Sequence, residues 1–197
     1  MVLGYHVILS AYGFWLPNDP RGSWSDFVRS WELFRFGRAT KVDTRQSVAQ
    51  LAHNHAARLS AKRALRYPPV RFTGLQAREI GQAFGEFAAR SKVTIFACSI
   101  LPEHVHLVIA RHDYPVEQIA NLLKGAATRH LVAGNLHPLA AFALPPNRIP
   151  AMWSRGLWKV FLNREHGVHR AIRYVERNPA REGKLPQKWS FVTALRS

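Results

Sequence analysis

Val93-Thr-Ile-Phe-Ala-Cys-Ser-Ile100, Leu101-Pro-Glu103 and His104-Val-His-Leu-Val-Ile-Ala110 read as a strand, a tight turn and a second strand. Side chains of a strand alternate between its two faces, so His104, His106 and Val108 share one face while Val105, Leu107 and Ile109 share the other. The second set is apolar enough to pack on a core. The first presents two imidazoles on one rigid surface, and a pair of neutral imidazoles can ligate a divalent metal. An isolated His-x-His equally fits one core histidine and one solvated one, so the pair needs support from elsewhere in the chain. Glu103 precedes His104 directly and faces away from it on a strand, which suits a turn role.

Working outward from this hairpin, Val2–Ser10 predicts a first strand, and the breaker-rich stretch Tyr12–Trp24 a loop. A helix is predicted over Thr44–Leu65, stopped by Tyr67-Pro-Pro. His53 and His55, two apart on that helix, point to different faces and read as surface residues. Thr73–Ser91 has helical apolar spacing with Thr73 as N-cap, and Pro115–Val132 reads as a further helix. A proline-rich connector over 138–150 leads to Met152–Leu162. A last helix covers Asn163–Asn178 and is expected to end at Pro179, because the residue before a proline disfavours helical backbone. The order β, α, β, β, α, β, α predicts an α+β fold, a ferredoxin-like split βαβ antiparallel sheet with helices packed on its faces. We expect one domain over 1–197, with an inserted or elaborated region at about 12–70.

The 197 residues carry 28 Lys and Arg against 12 Asp and Glu, a net charge of +16. That excess attracts polyanions and suits contact with a phosphate backbone. A 47% apolar fraction with 11 Phe and 6 Trp argues for a folded chain rather than a disordered tail. No window resembles a membrane span, and the N-terminus lacks the basic segment of a signal peptide, so a cytoplasmic, nucleoid-associated protein with no membrane partner is expected. The lone Cys98 permits no internal disulfide and no thiolate cluster; within an apolar run it reads as a small buried thiol.

The last helix adds the chemistry that the histidines lack. Tyr174 and Asn178 are four apart and share a face. A helical tyrosine beside a metal can attack a phosphodiester, and an amide oxygen can complete the ligand set of Mg²⁺ or Mn²⁺. Each residue alone also fits a plain structural role, Tyr174 in packing and Asn178 as a helix terminator before proline. Arg170, Arg173 and Arg177 lie on or near the same helix and suit phosphate contact, as do Arg155, Lys124 and Arg129. Trp153 and Trp158 suit either stacking on unpaired bases or core packing.

Leu101-Pro-Glu-His-Val-His106, the helix bearing Lys124 and Arg129, Trp153-x4-Trp158 and Tyr174-x3-Asn178-Pro179 together resemble the REP-associated tyrosine transposases. These are IS200/IS605-like Y1 transposases of the His-hydrophobe-His (HUH) endonuclease superfamily. The ordered motifs run mostly from Val93 to Pro179. The resemblance implies a ferredoxin-like catalytic domain, a divalent metal and cleavage of single-stranded, hairpin-containing DNA through a 5′-phosphotyrosine link with a free 3′-OH. It matches His104 and His106 to the metal ligands, Tyr174 to the nucleophile and Asn178 to the polar position one turn later, often Gln in relatives. It leaves monomer and homodimer both open. The stretch at about 12–70 is longer than the compact family core requires, and the motifs contribute no carboxylate ligand. Other readings are a catalytically inactive nucleic-acid-binding protein retaining the fold, and a metal hydrolase of small phosphoesters; the net charge and Tyr174 argue against the second.

Overall fold

Strands β1 (Gly4–Ser10), β2 (Ile95–Ile100), β3 (His104–Ala110) and β4 (Trp158–Leu162) form one antiparallel sheet in the order β2-β3-β1-β4. This computed structural model describes residues 1–197 except Arg45, Gln46, Asn147, Arg196 and Ser197. Helix α1 spans His55–Arg63, α2 Gly74–Ser91, α3 Val116–Ala133 and α4 Glu165–Arg181. With α2 between β1 and β2, and α3 between β3 and β4, the topology is the expected ferredoxin-like split βαβ.

Strand alternation sorts the layers. Val7, Leu9, Val105, Leu107 and Ile109 face α2 and α3 and merge with Ile80, Phe84, Ile119 and Leu123 into the main core. Ala97, Val108 and Leu162 point the other way, where Val168, Ala171 and Val175 of α4 cover them. The histidine face is therefore the α4 face. The register then places Ile8 between His106 and Trp158, and His6 between Val108 and Val160.

Local sequence accounts for the element boundaries. Thr73 caps α2 with a capping box: Gln76 N donates to Thr73 Oγ1 (3.2 Å) while Thr73 N donates to Gln76 Oε1 (2.9 Å). The helix predicted over Thr44–Leu65 is shorter than its pattern suggested, and its Arg45 and Gln46 lie outside the described residues. Asn54 Oδ1 accepts from Ala57 N at 2.9 Å and starts α1 there, so His53 precedes the helix. Its ring lies 4.0 Å from that of His55, rather than on a separate helical face. Residues 12–65 hold a small core of their own around Leu16, Val28, Leu33 and Ala61, with a buried ion pair of Arg21 Nε and Asp19 Oδ1 at 2.7 Å. A short 3-10 helix, Trp31–Phe36, belongs to it and was not anticipated.

The end of α4 also differs from expectation. Pro179 does not stop it; the helix runs on to Arg181. Proline removes only one helical donor so near the terminus, and the stop is Gly183, at φ +66. Gly183 N donates to Ala180 O (3.0 Å) and Lys184 N to Pro179 O (2.8 Å), the two bonds of a Schellman motif. The added turn carries Arg181 and Glu182 toward the histidines. At the sheet edge, Gln187 closes both backbone groups of Ile100, each at 2.8 Å, so β2 is not left open there. Among the described residues no helix is long and apolar enough to cross a membrane.

Because a Cβ at Gly183 meets no atom but must adopt left-handed backbone, Gly183→Ala is expected to cost about 1 kcal/mol of stability. Urea unfolding checks this, and Gly183→Asn, whose side chain tolerates that conformation, should recover part of the loss.

Candidate active site on the histidine face

His104 and His106 lie one strand period apart on β3, with ring centroids 4.8 Å apart and both side chains buried. A third imidazole, absent from the sequence reading, joins them. His6 of β1 is diagonal to His106 across the pairing, and its Nε2 lies 3.0 Å from His106 Nδ1. One ring must donate and the other accept. If Nδ1 of His106 is the donor, its Nε2 keeps a free lone pair, and the bond then fixes both tautomer and ring orientation. The first strand read from sequence contained His6, but only the register between β1 and β3 reveals its neighbour.

Burial holds these rings neutral. It lowers the pKa of His6 and of His104 from 6.5 to about 4, and lowers His106 well below 6.5, where the two neighbouring imidazoles add to the effect. Phe14, from the loop after β1, stacks on His104 with centroids 4.6 Å apart and an 11° interplanar angle. Glu182 Oε1 stands 3.8 Å from His104 Nε2, and burial together with the nearby Glu103 raises the pKa of Glu182. Glu103 itself pairs with Arg71 at 2.9 Å, consistent with its expected turn role.

The buried stripe of α4 reads Val168, Ala171, Val175, Asn178 and Pro179. Asn178 thus occupies a position that helical spacing reserves for apolar residues. It is 6% exposed, and its Nδ2 is buried without a hydrogen-bond partner, as is His104 Nδ1. Tyr174 borders the same stripe. Its ring centroid is 5.6 Å from those of His6 and His106, and Arg181 sits 5.2 Å above it. Helical geometry gathers Arg170, Arg173, Arg177 and Arg181 on the solvent side around Tyr174, and all four are exposed.

The donor chemistry suits a divalent ion: two neutral imidazoles, a carboxamide and a nearby carboxylate, with buried polar atoms that lack partners. Amide orientation can be exchanged, so either amide atom of Asn178 can face inward. Among the described residues no three His, Cys, Asp or Glu side chains stand as a ready-made metal cluster. His104, His106 and Asn178 are accordingly the residues that could hold the ion, with Glu182 as the nearest carboxylate.

Not every residue proposed from sequence reaches this face. Trp158 does, with its ring edge-on to His6 at 5.4 Å. Trp153 does not: it is 7% exposed and packs against Phe72, so the core takes it instead of bases. Lys124 is buried and donates to the carbonyls of Ser154 (2.9 Å) and Gly156. Burial lowers its pKa to about 8. It therefore anchors the loop that presents the exposed Arg155, rather than offering its charge to solvent. Arg129 is exposed on α3, beside Glu86 and Arg90 of α2, in the layer across the sheet from the histidines. Cys98 is free and buried against the α2/α3 layer, where burial raises its pKa; this is the inert thiol expected.

The profile of the IS200-like transposases matches residues 41–178, more than half of the chain. A solved REP-associated tyrosine transposase bound to a REP hairpin is 13% identical, with a TM-score of 0.49 over 96% of this chain and 74% of that one. A candidate transposase from Deinococcus radiodurans R1 is 15% identical, with a TM-score of 0.41 over 90% of this chain and 91% of that one. No curated protein matches the sequence.

The buried imidazoles set an acid limit on stability. Below pH 6.5 the unfolded chain takes up protons that the folded His6 and His104 refuse until about pH 4. Stability is therefore complete above pH 6.5 and falls as the pH drops toward 4. The expected loss between pH 7 and 4.5 is on the order of 2–3 kcal/mol per histidine. Urea unfolding of wild type and of His6→Gln across this range checks it: the variant should show the shallower pH dependence.

Proposed function

The chain belongs to the IS200-like transposase family, and from that premise we propose that it cleaves and rejoins single-stranded DNA beside a hairpin, with Tyr174 as nucleophile. The observation that carries this reading is the crossing of α4 over the histidine face. It brings the Tyr174 ring to 5.6 Å from those of His6 and His106 and buries Asn178 on the same helix with its Nδ2 unpartnered.

In the forward step the Tyr174 phenol oxygen forms a bond to the scissile phosphorus, and the bond from phosphorus to the 3′ oxygen breaks. The phenol loses its proton and the departing 3′ oxygen gains one. The products are a 5′-phosphotyrosine and a free 3′-OH. Attack by a 3′-OH reverses the step and reseals a strand without an external energy source. A divalent ion, Mg²⁺ or Mn²⁺, held by His104, His106 and Asn178 would bind the phosphate and stabilise its developing charge.

The chain's own groups prepare this step. Arg181 places its guanidinium 5.2 Å over the Tyr174 ring, where its forked donors suit a phosphate drawn to that tyrosine. Arg170, Arg173 and Arg177 surround Tyr174 with forked donors suited to backbone phosphates, and the exposed Arg155, on the loop anchored by Lys124, offers another. Trp158 offers a ring to an unpaired base beside His6. His6 is a positioning residue in this reading: with His106 Nδ1 as the donor of their 3.0 Å hydrogen bond, His106 Nε2 stays available as a ligand.

The test is a panel of 5′- and 3′-labelled single-stranded hairpin DNAs incubated with Mg²⁺ or Mn²⁺. Wild type should give a denaturation-resistant protein–DNA adduct that disappears in Tyr174→Phe. Cleavage that survives the substitution would overturn the tyrosine assignment, and salt-sensitive binding without an adduct would favour an inactive binding protein. His6→Ala should raise the Mn²⁺ concentration for half-maximal cleavage by about 10–100-fold. His6→Gln, which keeps an acceptor, should raise it less; equal behaviour of the two variants would show that His6 serves packing alone.

A further inference from the structure

Residues 24–38 reverse the usual distribution of apolar side chains. Val28 and Leu33 are buried in the small core with Leu16 and Ala61, yet the larger rings remain outside. Trp24 is 50% exposed, Phe27 54%, Trp31 78% and Phe34 60%. Large rings in one short segment are kept from water unless a partner covers them. The segment is also held firmly from behind: Asn18 Nδ2 donates to the carbonyls of Leu33 (2.9 Å) and Gly37 (3.3 Å). Trp15 Nε1 fixes the preceding loop through Gly22 O (2.9 Å).

Charge and position identify what would cover these rings. Arg29 lies 4.4 Å over Phe27, and Arg35 5.0 Å over Phe36, so guanidinium groups interleave with the aromatics in a chain of net charge +16. Arginine and aromatic rings side by side favour a partner carrying both phosphates and flat bases. The segment also touches the active site. Trp24 meets Trp158 edge-on at 6.2 Å, and Trp158 meets His6 at 5.4 Å. Phe14, from the same insertion, covers His104.

We propose that residues 24–38 form a stacking platform for unpaired nucleotides, continuing from Trp158 beside the tyrosine–histidine site. This rests on the reading of the chain as an enzyme of single-stranded DNA. It gives the insertion a role: it extends the strand-binding surface beyond the ferredoxin-like core. A base-paired segment keeps its bases stacked on one another and cannot use such a platform, so the surface selects for single strands.

The test compares fluorescein-labelled 25-nucleotide mixed-sequence single strands with the same sequence as duplex, by fluorescence anisotropy at fixed salt. It is done in the Tyr174→Phe protein so that no cleavage intervenes. Trp24→Ala and Trp31→Ala should each weaken single-strand binding at least about fivefold, the lower range for one lost base–ring stack, with duplex binding unchanged. Trp31→Phe should retain most of the affinity. Unchanged single-strand affinity, as expected if the rings dock a protein instead, would overturn the platform, as would equal losses on both DNAs. Because anisotropy needs no chemistry, failure of Tyr174 to form an adduct and failure of the platform are separately visible.

Discussion

The two-residue period of β3 is the constraint on which the site depends. It sends His104 and His106 to the α4 side while Val105, Leu107 and Ile109 anchor the strand in the main core. A slip of one residue in the pairing would bury the imidazoles under α2 and α3 and expose the apolar set. Register is thus enforced by hydrophobic burial on one face, and the chemistry on the other inherits that precision. The antiparallel neighbour β1 then brings His6 into reach of His106, at no cost in additional chain.

Placing polar groups under a helix carries an energetic cost, and the molecule confines it to one end of α4. Val168, Ala171 and Val175 pack on Ala97, Val108 and Leu162, which secures the helix. Only beyond Val175 does the stripe turn polar, with Asn178 and an unpartnered amide nitrogen. A buried amide left unsatisfied costs about 1–3 kcal/mol, and neutral imidazoles resist protonation by burial. Such unsatisfied and shifted groups under one helix fit the proposed site better than a core.

Much of this was legible in the chain. The boundaries of β3 follow from alternation, and the start of α2 follows from the Thr73 and Gln76 pair. Tyr174 and Asn178 can be placed on one helix by spacing alone. What could not be read depends on distance in three dimensions. His6 sits 100 residues from His106 in sequence, and only strand register joins them. Glu182 and Arg181 are hidden in the sequence because Pro179 reads as a stop, whereas the Schellman motif at Gly183 sets the end. Lys124 and Trp153 are buried and Arg129 is exposed in the layer across the sheet, and neither burial nor layer is encoded in local composition. The stretch at about 12–70 reads as extra length in the sequence, while its inverted burial, with aliphatics inside and rings outside, needed the fold.

The proposed function requires the histidine face of β3 and the end of α4 to form one divalent-cation site. Titration of Mn²⁺ followed by electron paramagnetic resonance tests it without reference to any DNA substrate. One bound ion per chain is expected, with affinity reduced about tenfold or more in both His106→Ala and Asn178→Ala. Wild-type binding that neither substitution weakens would contradict it, as would no binding by the folded wild type.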